Sequence, residues 1–150
     1  MREMDVQLAQ LLPIIQERLE AGKTVTFSPR GISMLPMLRQ GVDRVTLSPI
    51  SGRLKKYDLP LYRMDSGKFI LHRIVDVGDV YTCRGDNTYR DETGLRHDQM
   101  IGVVTSFTRK ERMISVEHPV YKLYARIWVA IYPLRNYIRR AIGWIKRRLK

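Results

Sequence analysis

Between residues 24 and 117 the sequence breaks into short runs rich in Val, Ile, Thr, Tyr and Phe, separated by Gly, Asp, Ser and Pro. This punctuation constrains the fold more than any other feature. The runs span 24–27, 43–47, 59–64, 68–75, 80–83, 101–107 and 113–116. β-branched and aromatic side chains suit a pleated, half-buried surface, and runs this short cannot make stable helices. Asp65-Ser66-Gly67 and Gly78-Asp79 lie between neighbouring runs, where they predict tight antiparallel turns. The expected fold is therefore mainly β, a compact antiparallel domain over residues 24–117.

The flanks follow a helical period instead. Leu8, Leu11, Leu12, Ile15 and Leu19 share one helical face, and Gly22 stands where a left-handed stop would fall. Residues 1–23 thus read as a short N-terminal helix over 5–21. Pro13 removes a hydrogen bond and crowds the preceding turn, which argues that the helix begins at or near it. After Pro119 a stripe of Val120, Tyr124, Ile127, Ile131, Leu134, Ile138, Ala141 and Ile145 marks residues 118–150 as a basic amphipathic helix, or two helices broken near Pro133. A chain of 150 residues, 44% apolar and 28% charged, has room for one domain with a real core and not for two.

The net charge of +12 is unevenly spread. Residues 119–150 hold nine Lys and Arg and no Asp or Glu, so the body is near balance and the tail is the cation. Such a tail suits an anionic membrane surface, with Trp128, Trp144 and the apolar stripe in the interface. Packing of the stripe on the β domain or on a second copy is the competing expectation. Nucleic acid is disfavoured as a partner, because the aromatic residues belong as readily to the stripe as to a base-stacking surface. No apolar stretch approaches the ~20 residues of a membrane span, so neither a transmembrane helix nor a signal peptide is expected. Cys83 is alone and cannot form an internal disulfide, which fits the cytoplasm.

Three segments carry groups suited to chemistry: Gly31-Ile32-Ser33-Met34-Leu35-Pro36, Leu71-His72-Arg73-Ile74, and Arg84-Gly85-Asp86-Asn87 with Asp91 and Glu92 just beyond. A serine hydroxyl is a weak nucleophile until a neighbour takes its proton, and a neutral imidazole, whose pKa is ordinarily near ~6.5, suits that task at neutral pH. A metal site is not expected, since one Cys and three scattered His (His72, His97, His118) lack zinc-ligand spacing, and no cofactor is called for. Lys55 and Lys56 read as a solvated edge.

In order and separation these segments resemble the type I signal peptidases, a family of serine peptidases related to the self-cleaving repressors. Its members carry Ser-Met followed by Pro, then a strand with His-Arg or Lys-Arg, then a Gly-Asp-Asn turn. The resemblance covers residues 24–107, and His72 matches the branch whose base is a histidine. It implies Ser33 as nucleophile, His72 as general base and Asp91 as the supporting acid, with Glu92 and Asp86 as alternatives. The Ser33 N–H would serve in the oxyanion hole, and Gly31 stands where some members place a second donor, a serine. Gly41-Val42-Asp43 and Tyr57-Asp58 depart from the family's Gly-Asp pattern, and the usual N-terminal membrane anchor is not seen. The implied activity is serine endopeptidase cleavage of an extended leader or precursor peptide, in the cytoplasm or at the inner membrane face, with small residues preferred near the cut. The alternative is a catalytically silent module of the same fold, held to membrane or nucleic acid by its tail.

Overall fold

The computed structural model describes the backbone of residues 3–149 and the side chains of residues 9–149. Helix α1 (Glu3–Glu20) precedes strands β1 (Val25–Phe27), β2 (Val45–Ser48), β3 (Pro60–Arg63), β4 (Phe69–Leu71), β5 (Arg73–Val77), β6 (Tyr81–Arg84), β7 (Glu92–Leu95), β8 (Met100–Arg109) and β9 (Arg112–Ser115). Helices α2 (Pro119–Ala130) and α3 (Tyr132–Arg148) complete the chain. The fold is mainly β and every strand pairing is antiparallel. One sheet runs β1-β2-β8-β3-β4, with β9 folded back on β8; the other runs β5-β6-β7.

Two apolar clusters hold these layers. Val45, Leu47, Leu61 and Val104 of the larger sheet, with Leu59 just before β3, pack against Ile15 and Leu19 of α1 and against Met34, Met37 and Leu38 of the loop before β2. Tyr62, Ile74, Tyr81, Cys83 and Leu95 form the second cluster. Strand β3 belongs to both, because Leu61 and Tyr62 point to opposite faces and both faces are covered. The expected turns appear as hairpins: Asp65-Ser66-Gly67 joins β3 to β4, and Gly78-Asp79 lies between β5 and β6.

The helices differ from expectation in instructive ways. α1 runs through Pro13 rather than starting there. Leu12 and Ile15 on either side of it are buried, so tertiary packing outweighs the lost backbone bond. Gly22 does end the helix region, at φ +75°. The Leu8 side chain lies outside the described residues. The C-terminal stripe breaks at Ile131, and Pro133 sits in the first turn of α3, where a missing N–H costs nothing. α2 buries Tyr121 and Ala125 on the β domain, whereas α3 buries no residue. Among the described residues no helix is long and apolar enough to cross a membrane.

Candidate active site

The loop that carries Ser33 is pinned on both sides. Met34, Met37 and Leu38 sink into the core just after Ser33, whereas Ile32 before it is exposed and Ser33 itself stays partly exposed. Asp43 closes the loop from behind. Its carboxylate accepts from the Arg39 backbone N–H at 2.8 Å and from the Arg39 guanidinium at 2.9 Å, and these bonds hold the Asp43 carboxyl below the usual carboxylate range. Arg109 donates to the carbonyls of Pro36 and Met37. At the loop's start Gly31 has φ +90°, a conformation that strains any residue with a Cβ, so the backbone bends here where a serine would fit poorly.

His72 is the one residue between β4 and β5. The run 68–75, continuous in sequence, changes sheets at this point, and the change fixes which way each neighbour points. His72 Nδ1 lies 3.0 Å from Glu92 Oε2, and the Tyr62 hydroxyl donates to the same oxygen at 3.3 Å. Burial pushes the Tyr62 phenol far above its ordinary range, so it remains a donor at any physiological pH. An ionised Glu92 can only accept, which places the imidazole proton on Nδ1 and leaves Nε2 with a free lone pair.

That lone pair lies beside the third segment. A Cβ built on Gly85 would meet His72 Nε2 at 2.8 Å, the Ser33 carbonyl at 2.6 Å and Thr88 Cγ2 at 2.9 Å. Only glycine lets the turn close over both the serine loop and the histidine. Asn87 then fastens the turn to the loop, its backbone N–H donating to Ser33 O at 2.8 Å and its side-chain amide to Ile32 O at 3.1 Å. Thus the Ser33 loop, the His72 crossing and the Gly85-Asp86-Asn87 turn converge from separations of tens of residues.

The acid assignment changes. Asp91 turns away from His72 and pairs with Arg84, which donates to both of its oxygens. Glu92 takes the place beside the imidazole. The reason is strand parity: Glu92 opens β7 opposite Cys83 of β6, and successive residues of an extended chain face opposite ways, so only one of the two acids can reach His72. Asp86 is structural. Its carboxylate takes two 2.8 Å bonds from the fully buried Arg73 guanidinium and a third from Tyr124, while Trp128 and Arg135 donate to its carbonyl.

The other chemical groups are accounted for elsewhere. Burial pushes the Cys83 thiol up to about 12, so it stays protonated and unreactive. His97 contacts the Tyr81 hydroxyl, and His118 caps α2 by accepting from Val120 N–H. Lys55 and Lys56 are exposed. Sequence patterning gave no sign of Tyr62, an ordinary aromatic in a strand, nor of β7, whose Glu-Thr-Gly-Leu has little strand character.

Ser33 and His72 border one cleft of about 570 Å³, with Phe27, Leu61, Phe69 and Leu71 among its apolar walls and Arg30 at its rim. Among the described residues no hydrogen bond joins Ser33 to His72; such contacts commonly tighten only when substrate is bound. The Ser33 N–H has no acceptor among the described residues and is free to serve another oxygen. β1 and β4 are the outer strands of their sheet and both contribute to the cleft. An unpaired strand edge offers alternating N–H and C=O groups to an extended peptide. Chemically the arrangement can accept a hydroxyl proton at Nε2 and donate to a developing oxyanion beside it. A scan of family models and searches of curated proteins and of solved structures return no match to this chain.

Proposed function

We propose that this protein is a serine endopeptidase of signal peptidase-like, histidine-base type. The observation that supports it best is the meeting of three distant segments around Gly85, where a Cβ would touch both the Ser33 carbonyl and His72 Nε2, while Ser33 and His72 themselves line one cleft. Buried imidazoles are common, but one with Nδ1 oriented by a carboxylate and Nε2 left free next to a serine loop has the parts of an acyl-transfer site.

In this reading an extended peptide adds to the strand edges that flank the cleft, and its scissile carbonyl comes to rest over Ser33. Ser33 Oγ attacks the carbonyl carbon as its proton passes to His72 Nε2, while the Ser33 N–H stabilises the oxyanion. Glu92, with Tyr62 behind it, holds the imidazole tautomer and balances its charge after proton transfer. The proton then goes to the departing amine and the acyl-enzyme forms. Water, deprotonated by the same nitrogen, releases the acyl product and restores Ser33. The substrate is a leader or precursor peptide, met in the cytoplasm or at the inner face of the membrane.

The test is covalent labelling by a fluorophosphonate probe together with turnover of a peptide library. Wild type is expected to label and cleave, and Ser33→Ala and His72→Gln to abolish both with the thermal midpoint preserved. A wild-type chain that labels and cleaves nothing would leave the silent binding module in its place.

A further inference from the structure

We infer that α3 is a docking surface for an anionic lipid bilayer. The helix has 17 residues, buries none of them, and contains no acidic residue. At about 100° per residue, Trp144, Tyr137, Leu134, Ile145, Ile138 and Ile142 fall within one arc of roughly 160°. All six are exposed, from 47% at Ile142 to 72% at Tyr137. Arg135, Arg139 and Lys146 border this arc on one side and Arg140 and Arg147 on the other, with Asn136 and Gly143 between them at the back. Arg148, in the last turn, falls within the arc itself and holds its guanidinium 4.3 Å from the Trp144 ring. Among the described residues Arg140, Lys146, Arg147 and Arg148 have no acidic partner, the ion pairs lying elsewhere in the chain.

The two features together choose the occupant. An aliphatic face framed on both sides by cations matches the boundary between acyl chains and anionic headgroups, with the helix lying in the plane of the surface. Nucleic acid would answer the charges but leave Leu134, Ile138, Ile142 and Ile145 in water. A second copy would answer the apolar face but bring a second row of unpaired cations alongside the first. α2 provides the contrast within the molecule, since its aromatic face is already spent on Arg73 and Asp86.

The docking helix is tied to the body at its first turn. Tyr132 stacks on Tyr89 at 6.0 Å, the Arg84 guanidinium lies 3.3 Å from the Tyr132 ring, and Arg135 reaches the Asp86 carbonyl at 2.9 Å. A bilayer-bound α3 therefore holds the β domain through the turn that covers His72 and Ser33. The inference rests on α3 alone and stands whether or not the cleft cleaves peptides.

The experiment is co-sedimentation of the full chain with phosphatidylcholine vesicles, with and without about one third phosphatidylglycerol. Affinity is expected to be at least tenfold higher for the anionic vesicles and to weaken as salt rises. Tryptophan emission should shift to the blue on binding, and the shift should vanish in Trp144→Phe while Trp128 remains. Ile138→Glu/Ile145→Glu and Arg140→Gln/Lys146→Gln/Arg147→Gln should each lose tenfold or more without moving the thermal midpoint, because none of these side chains is buried. Equal affinity for neutral and anionic vesicles, or no binding to either, overturns the inference. So does a mass that rises with concentration, or nuclease-sensitive retention on nucleic acid, with vesicle binding absent.

Discussion

His72 and Arg73 are adjacent, both buried, and each faced by a carboxylate, yet their surroundings have opposite characters. On the Arg73 side every polar atom is spoken for: Asp86 fills the guanidinium fork, the Tyr121 hydroxyl oxygen accepts from Arg73, and α2 seals the assembly. On the His72 side one ring nitrogen is satisfied by Glu92 and the other lies beside Gly85 with no hydrogen-bond partner among the described residues. A fully satisfied buried pair fixes structure, and a half-satisfied one keeps chemical capacity in reserve. The difference arises where the chain leaves one sheet for the other, since alternation along an extended chain sends neighbouring side chains to opposite faces.

The comparison is most exposed to failure at Asp86. Replacing it by Asn, or Arg73 by Met, strands the partner charge in a dry interior, and removing one member of a buried pair costs about 3–5 kcal/mol. Calorimetry should show a thermal midpoint lowered on the order of 10 °C. A shift under 2 °C would mean that the Arg73 side is not the structural one.

Glu92 should behave in the other way. Glu92→Gln keeps shape but removes the charge that, in the proposed mechanism, balances the imidazolium, so kcat should fall about 100-fold with KM little changed and the midpoint nearly intact. Glu92→Asp should recover part of the loss. If Glu92→Gln lowers the midpoint as much as Asp86→Asn does while sparing turnover, the contrast between the two sides fails.

Tyr62→Phe sharpens the picture further. It deletes one hydrogen bond to Glu92, and the cost should be about 1 kcal/mol, read as a several-fold drop in kcat. Asp91→Asn is expected to do least. Its pair with Arg84 lies near the surface, so both midpoint and turnover should stay within about 0.5 kcal/mol of wild type. A large loss of turnover in Asp91→Asn would return the supporting acid to Asp91.

Much of this was legible in the residues. Short β-branched runs between Gly, Asp and Pro specify a β domain because strand character and turn chemistry are local properties. The amphipathic flanks are equally local, and so is the cationic tail. The serine loop, the histidine and the Gly-Asp-Asn turn could be named as a set only through their resemblance to a family pattern. Which acid serves His72 could not, because Asp91 and Glu92 differ only in parity, and parity depends on where β7 enters register with β6. The course of α1 through Pro13 was hidden for a related reason: the burial of Leu12 and Ile15 is settled by what α1 packs against.

By itself, then, the sequence determined the kinds of element and the chemical groups present, through preferences that act over a few residues. Tertiary structure decided the partners. It split one hydrophobic run at His72, gave Asp86 to Arg73 and Glu92 to the imidazole, and spent α2 on the core while leaving α3 open. These outcomes depend on contacts between residues far apart in the chain, and a contact of that kind has no local signature.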